Sequence, residues 1–366
     1  MPYATLNTTV ARILGFTQSV NTLERNQRGM AETVSEFWQD RPIPPAEHEG
    51  ALLVCTADGK GVPMRGAVKA TREAEPPSNS GMRPGSKKMA QIGAVYTVDP
   101  FVRTPEEVLE ALFRESPPSQ SPPVRPRPCF KHVRAALERD GADSTEPQTR
   151  EIFGWMAQEA AQRNPEGRKH VILLMDGQES QWNAGWEYLP QGAAEVTDIL
   201  DLLHATGYLW EAAHLFHPKG SDGARAFVKE QARRMLHGNI SAVIHALRWH
   251  GTHRKLKGKR LEALERICGY FRNNTHRMAY DVYLEHGFPI ASGVIEGACR
   301  CVVKDRMERS GMRWVLSGAR AMLQMRCIYL SGLWEEFIDF RIRRESLRLY
   351  PTSAANDPVS SLPVAA

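Results

Sequence analysis

Three carboxylates stand at positions in the sequence where an unpaired negative charge is unfavourable. Asp58 follows the apolar run ALLVCTA, Asp176 follows VILLM, and a glycine comes directly after each. Glu296 lies in ASGVIEGACR, near the start of a predicted helix. A carboxylate at the end of a buried strand costs on the order of several kcal/mol unless something pairs with it. The pattern therefore indicates that these acids bind a cation.

The proposed cation follows from the predicted strand order. If the strands that end at Asp58 and Asp176 are parallel neighbours, the two carboxylates lie side by side and repel unless a divalent metal neutralises them. Mg²⁺ (or Mn²⁺) takes oxygen ligands, and two such ions can activate a water or a 3′-hydroxyl at a phosphodiester. The sequence thus predicts a two-metal catalytic site held by Asp58, Asp176 and Glu296.

A structural role for the same residues stays open at this point. An Asp-Gly pair after a strand is most often a turn, because Asp bonds its own backbone there. A glutamate near a helix start usually interacts with the helix dipole. Only the order of the three acids relative to the strands favours catalysis.

Hydrophobic periodicity predicts the elements that must position these acids. Residues 1–45 are predicted to be helical, with Met30, Val34 and Phe37 on one face. Strands are predicted at 51–57, 62–68, 91–98, 170–175 and 194–199, with DGKG as a tight hairpin between the first two. A helical region is predicted at 130–164, more helices follow residue 200, and loops are predicted at 73–88 and 116–128.

This order predicts an α/β fold with a ribonuclease-H-like mixed sheet. Three strands form a meander, two parallel strands follow helical crossovers, and an all-helical insertion interrupts the fold. The predicted division is a helical N-terminal segment (1–48), the first part of the core (49–214), the insertion (215–287), the rest of the core with helices (288–348) and a disordered tail (349–366).

Composition limits the class of protein. The 366 residues carry a formal net charge of +5, which mildly favours a polyanionic partner. Six cysteines without a CxxC pair indicate a reducing cytoplasm, and no apolar run is long enough for a membrane span. The sequence has no Walker A loop and no GxGxxG, so we expect no nucleotide cofactor.

Basic residues are concentrated in two places. The run HRKLKGKR is expected to follow a DNA backbone, although a solvated loop is the alternative; its cations are Arg254, Lys255, Lys257, Lys259 and Arg260. Trp249, just before the run, is expected in the core rather than stacked on an unpaired base. Arg300 and Lys304 follow Glu296 at successive spacings of four, which predicts a DNA-binding stripe beside the acids.

Three motifs carry a resemblance to a known family. TADGKGVPM, MDGQESQW and PIASGVIEGACRCVVKDRMERSGMRW resemble the DDE transposases of bacterial insertion sequences, with the ISKra type the most similar, over about residues 25–345. The resemblance implies a ribonuclease-H-like fold with a helical insertion and a catalytic triad at Asp58, Asp176 and Glu296. It also implies that Asp201 and His204 support the active site; the alternative is a helix cap and a half-buried histidine.

The resemblance further implies the reaction and its partners. A DDE transposase cleaves insertion-sequence ends, and the freed 3′-hydroxyls attack target DNA, with two Mg²⁺ or Mn²⁺ ions. The expected partners are double-stranded DNA and further copies of the chain, in the bacterial cytoplasm at the nucleoid. Because relatives carry a longer region before the first aspartate, a truncated, inactive DNA-binding copy that competes with intact transposase stays an alternative. A nuclease of the same fold, which would cleave without joining, is another.

Overall fold

A mixed five-stranded sheet contains the strands that precede the candidate acids. The strands are β1 (Leu52–Pro63), β2 (Lys87–Val98), β3 (Cys129–Leu137), β4 (His170–Met175) and β5 (Val196–Leu200), in the spatial order β3-β2-β1-β4-β5. β2 and β3 are antiparallel, whereas β4 runs parallel to both β1 and β5. The predicted ribonuclease-H-like α/β fold class is confirmed. This computed structural model describes residues 3–65, 87–115, 124–138, 147–189, 193, 195–308 and 311–350.

Continuous burial explains why the central strands read as unbroken apolar runs. Residues 52–57 of β1 and 171–175 of β4 are all buried, so both faces of these strands are covered. Four helices lie between the strands or directly after the last one in sequence, namely α4 (Pro105–Phe113), α5 (Pro147–Arg163), α6 (Glu179–Tyr188) and α7 (Leu202–Phe216). At Gly93 of β2, an added Cβ would come within 2.5 Å of Ile152, so glycine lets α5 pack closely on the sheet.

The predicted hairpin at DGKG is wrong. β1 continues through Asp58, Gly59, Lys60 and Gly61 to Pro63, and these four residues are half-buried rather than exposed in a turn. Pairing with neighbouring strands therefore overrides the local turn preference of the Asp-Gly pair. The strand predicted at 62–68 is in part the end of β1, and residues 66–68 lie outside the described residues.

The third strand of the meander comes from a region predicted to be helical. β3 occupies residues 129–137, and helix α5 begins only at Pro147. The sequence of β3 ends in Ala135, Ala136 and Leu137. These residues favour a helix locally, but pairing with β2 overrides that preference. Helix α4 was not predicted, although Thr104 and Glu107 form a capping box at its start. Of the predicted loops, residues 73–86 and 116–123 lie outside the described residues.

The predicted helices after residue 215 are present. They are α8 (Asp222–Leu236), α9 (Ile240–His253), α10 (Lys259–Asn274), α11 (Tyr280–Glu285) and α12 (Gly293–Cys299). Ser221 caps α8 by accepting a hydrogen bond from the Ala224 amide. The assignment of residues 215–287 to a separate insertion, like the rest of the predicted domain division, stays a prediction.

The chain divides into two compact units. Residues 43–61 and 88–300 form the unit that carries the candidate acids, and residues 1–42, 62–87 and 301–366 belong to the other. The second unit contains α1 (Tyr3–Leu14), α2 (Val20–Ala31), α3 (Val34–Asp40), a π-helical turn (Arg300–Lys304) that begins at its boundary, α13 (Asp305–Met307), α14 (Leu316–Leu330) and α15 (Trp334–Leu349).

One apolar cluster joins the helices of the second unit. Val34 and Phe37 are buried against α14 and α15 residues that include Ile328 and Phe337, and Met30 packs on the same cluster. The predicted apolar face of residues 1–45 is therefore confirmed. In the described part of the chain, none of the helices combines the length and the apolar character needed to cross a membrane.

Candidate active site

Three aspartates stand in a row where the parallel pairing of β1, β4 and β5 ends. The last register pairs are Ala57 with Met175 and Met175 with Leu200. Asp58 is the next residue of β1 after Ala57. Asp176 directly follows β4, and Asp201 directly follows β5. Since equivalent positions on adjacent parallel strands point to the same face of a sheet, Asp58 and Asp176 lie beside each other, with Asp201 next to Asp176.

Asp58 lies close to Asp176 without a neutralising base. Burial raises the pKa of the Asp58 carboxyl, and the negative charge of Asp176 raises it further. A hydrogen bond from the Cys299 thiol and the charge of Lys60 act in the opposite direction. Among the described residues, no Lys, Arg or His forms an ion pair with either aspartate. The edge therefore holds two like charges in a partly desolvated setting.

Asp176 is held by its own turn and by a tyrosine from α10. Its Oδ1 accepts a hydrogen bond from the Gln178 amide at 3.0 Å, so the predicted Asp-Gly turn is present. The Tyr270 hydroxyl donates to the Asp176 carbonyl at 2.8 Å. Gly177 has φ +98°, and an added Cβ would lie 2.9 Å from the Tyr270 ring. A helix distant in sequence thus fixes the chain directly after Asp176.

Asp201 has a different environment from the other two aspartates. Its Oδ1 accepts from the Leu203 amide at 2.6 Å and the His204 amide at 3.1 Å, which caps α7. Its Oδ2 accepts from the Ser292 amide at 2.8 Å and from the Ser292 hydroxyl. Four donors occupy this carboxylate, as expected for a buried anion that needs no metal. The contacts of Asp201 are those of a helix cap, the alternative to a role in supporting the active site.

Asp201 also orients the helix that carries Glu296. Ser292 is the N-cap of α12, and its carbonyl accepts a hydrogen bond from the Glu296 amide at 3.0 Å. Burial raises the pKa of Asp201, and the charge of Glu296 contributes to the rise. Cys299, one turn further along α12, lies close enough to Asp58 to lower the pKa of its carboxyl. Helix α12 therefore begins at Asp201, where Ser292 bonds it, and reaches the neighbourhood of Asp58 at its last residue.

The structure brings Asp58 and Asp176 together but does not complete the predicted triad. Glu296 is exposed in the first turn of α12. In the described ranges, no three or more His, Cys, Asp or Glu side chains are arranged to hold a metal ion. The donor set of the aspartate pair fits one hard divalent cation, since it offers carboxylate oxygens that lack a basic partner. Ligation of a metal ion by all three carboxylates stays a prediction.

His204 lies beside an aromatic pair that sequence reasoning did not find. Its exposed ring is 5.6 Å from the Tyr208 ring and 6.3 Å from the Tyr270 ring, centroid to centroid. Tyr208 and Tyr270 stack at 4.0 Å. The tyrosines come from α7 and α10, so only the tertiary fold places them near Asp176. No local motif around Tyr270 signals this contact.

The predicted basic stripe after Glu296 is changed by a wider turn. Residues Arg300–Lys304 form a π-helical turn, so a spacing of four residues no longer keeps Arg300 and Lys304 on one line with Glu296. Both side chains are exposed. Arg300 belongs to the unit with the aspartates and Lys304 to the other unit.

The second basic group is exposed between α9 and α10. All five predicted cations are at the surface, namely Arg254, Lys255, Lys257, Lys259 and Arg260. Arg260 donates a hydrogen bond to the Leu215 carbonyl. Trp249 is 52% exposed, so its predicted place in the core is wrong.

Comparison with known proteins adds little to this geometry. Neither a family model nor a curated protein matches the chain. A solved structure described as the Drosophila P element transposase strand transfer complex is similar at 11% identity, with 88% of this chain and 74% of that chain covered and a TM-score of 0.27. At that TM-score the likeness carries no weight for fold or function, which rest here on the sheet and its acids.

Proposed function

We propose that this chain is a DNA transposase of the DDE type, with Asp58 and Asp176 as ligands to a divalent metal ion and Glu296 as the third carboxylate. One observation carries the proposal: two aspartates lie side by side where the parallel pairing of β1 and β4 ends, and no basic side chain of the described residues forms an ion pair with them. The motifs around Asp176 and Glu296 resemble those of insertion-sequence transposases, and the ISKra type is part of this proposal.

The residues around the pair have defined tasks in this proposal. Bound Mg²⁺ would neutralise the two aspartates and act as Lewis acid towards a water or a 3′-hydroxyl. The Cys299 thiol lies close to Asp58, and Tyr270 fixes the backbone after Asp176, so neighbouring side chains would position both ligands. Arg300 and the exposed cations between α9 and α10 would contact phosphates of the DNA ends and of the target.

Glu296 sets a condition on the proposal. Its charge contributes to the raised pKa of Asp201, and the described residues hold no group of three ligands arranged for a metal ion. Ligation by all three acids therefore requires Glu296 to approach the aspartate pair when metal and DNA bind. The same observation favours a second candidate function, a DNA-binding copy that does not cleave.

Strand cleavage and joining test the proposal. The substrate is a plasmid that carries the genomic DNA on either side of the gene, incubated with the full chain and Mg²⁺. We expect cleavage at the element ends and strand-transfer products. Asp176→Asn should lower the cleavage rate by about 10³-fold, equivalent to about 4 kcal/mol in activation free energy, while DNA affinity stays the same. The exposed Asp222→Asn variant is the matched control and should cleave normally.

The products separate the three candidate functions. A transposase gives cleaved ends and joined products, a nuclease gives cleaved DNA without joining, and a binding-only copy gives neither although it binds the ends. Wild-type cleavage by the Asp176→Asn protein would show that the assignment of this aspartate is wrong.

A further inference from the structure

Lys60 is brought to the aspartate pair by the extension of β1 through DGKG. As a residue of the strand rather than of a turn, Lys60 is half-buried. Side chains at positions i and i+2 of a strand point to the same face of the sheet, so Lys60 shares a face with Asp58. Its Cα lies one strand repeat, about 6–7 Å along β1, from that of the aspartate.

The thiol of Cys299, at the end of α12, lies among the same charges. Burial raises the pKa of this thiol, the negative charges of Asp58 and Asp176 raise it further, and the positive charge of Lys60 acts in the opposite direction. The charge of Lys60 also opposes the rise that burial causes in the pKa of the Asp58 carboxyl. The two aspartates and the lysine therefore lie close to one and the same side chain.

Lys60 has no partner in the described part of the chain. Its ammonium group forms neither an ion pair nor a hydrogen bond there, although it lies on the same face as Asp58. An ammonium group has three N–H donors and needs acceptors when it is partly removed from water. A lysine held beside two carboxylates without pairing with either is available to another anion.

The charges around Lys60 fit one phosphodiester. A divalent cation at Asp58 and Asp176 would balance the two carboxylates, so the ammonium group would remain as the net positive charge of the group. A phosphodiester carries one negative charge, and lysine binds phosphate oxygens as a point charge. The phosphate next to the aspartate pair in the proposed reaction is the scissile one.

We propose that Lys60 is a catalytic residue that binds a non-bridging oxygen of the scissile phosphate. The inference rests on the proposed function, because it assigns the lysine to the phosphate at which that reaction takes place. In cleavage, the oxygen of a water forms a bond to phosphorus, the bond from phosphorus to the 3′-oxygen breaks, and one proton of the water ends on the 3′-oxygen. The ammonium group keeps its protons and stabilises the negative charge that develops on the phosphate oxygens.

Cleavage of the plasmid substrate by variants of the full chain is the first part of the test. Lys60→Met removes the charge at similar length and should lower the cleavage rate at saturating DNA by about 100-fold. The DNA concentration that gives half of the maximal rate should change less than about threefold, because many other cations contact the DNA backbone.

Binding of Mn²⁺ without DNA separates a catalytic role from a structural one. Loss of a neighbouring positive charge favours a cation at Asp58 and Asp176, so Lys60→Met should bind Mn²⁺ about threefold more tightly than the wild type. Lys60→Arg keeps the charge, so it should bind Mn²⁺ like the wild type and retain about a tenth or more of the cleavage rate. Lys131→Met is the matched control, since Lys131 is a half-buried lysine of β3, and it should behave like the wild type in both measurements.

The outcomes separate this proposal from the proposed function. Cleavage by Lys60→Met within about threefold of the wild-type rate overturns the role of Lys60 alone. Weaker Mn²⁺ binding by Lys60→Met also overturns it alone, because the lysine would then support the fold of the site rather than bind phosphate. Absence of cleavage by the wild type overturns both this proposal and the proposed function.

Discussion

Acidic side chains near the start of β1 and β4 have basic partners, whereas those where the pairing of these strands ends do not form ion pairs with the described residues. Where β1 and β4 begin, Glu49 lies between two bases: Arg163 Nε donates to it at 2.5 Å, and Lys169 Nζ donates to its other oxygen. Glu159 pairs with His132 at 2.5 Å and with Arg163 at 3.7 Å. Every acid of this group has a basic partner within the protein.

Where the pairing of the same two strands ends, the acids face each other. Asp58 and Asp176 are neighbours, and the nearest additional partners of Asp58 are a thiol and the charge of one lysine. Removing a charge from water costs free energy that a partner must offset. The protein therefore supplies its own counter-charge for Glu49 and Glu159, whereas it leaves room for an external cation at Asp58 and Asp176.

The paired end should be the more sensitive to substitution. Arg163→Met removes the shared partner of Glu49 and Glu159 and should lower the free energy of unfolding by about 3–5 kcal/mol, because two buried acids each lose one of their two basic partners. Urea denaturation measures the loss. Arg168→Met is the matched control, since its pair with Glu166 is exposed on both sides and should contribute almost nothing. A loss below about 1 kcal/mol for Arg163→Met would mean that the group is not a stabilising network.

Asp201 should behave like the paired end, although it stands in the row of aspartates. Asp201→Ala removes the cap of α7 and leaves the buried Ser292 amide without its acceptor, so the free energy of unfolding should fall by about 2–3 kcal/mol. Ser221→Ala removes only one capping bond, at α8, and should cost about 1 kcal/mol.

The same Asp201→Ala protein shows whether Asp201 belongs to the metal site. Because four donors already occupy its carboxylate, its Mn²⁺ affinity should change less than about threefold. Lost Mn²⁺ binding with unchanged stability would place Asp201 among the metal ligands and remove the distinction between it and the aspartate pair.

The smallest expected change in the free energy of unfolding is an increase, at Asp58. Asp58→Asn removes one of two neighbouring charges and should raise the free energy of unfolding in metal-free buffer by about 1 kcal/mol. Since the folded-state pKa of Asp58 is raised, its contribution to wild-type stability is full below the ordinary pKa of about 4 and is lost as the pH rises through the raised value.

The pH dependence of the stability gain serves as the control for the Asp58→Asn prediction. In acid, Asp58 is protonated in the folded and unfolded states, so the variant and the wild type should be equally stable. Melting curves at neutral and acid pH with a chelator present measure both. A variant that is less stable than the wild type at neutral pH would show that the two charges do not oppose folding.

Sequence reasoning located the aspartates because their signal is local. The apolar run before Asp176 ends where β4 ends, and the run before Asp58 ends where β1 stops pairing with β4. The order of the elements indicates which strands are parallel neighbours. The turn at Asp176 is equally local, since its side chain bonds the Gln178 amide. The fold class and the adjacency of Asp58 and Asp176 were therefore predictable.

The errors and omissions arise from contacts that span the chain. DGKG has turn propensity, yet strand pairing extends β1 through it, and β3 forms from a segment with helical preference. Tyr270 lies 94 residues from Asp176 in sequence, and no local pattern connects them. Trp249 was expected in the core because tryptophan is large and apolar, but two histidines hold it at the surface. Periodicity cannot show such pairings.

Binding of Mn²⁺ to the full chain tests the central claim, that Asp58 and Asp176, where the pairing of β1 and β4 ends, leave room for a divalent cation. Free Mn²⁺ is measured by electron paramagnetic resonance during titration of the wild type, Asp58→Asn and the control Asp222→Asn. The wild type and the control should bind Mn²⁺ alike, and Asp58→Asn should bind it at least about tenfold more weakly. Equal binding by all three proteins would contradict the claim, because the cation would then lie elsewhere.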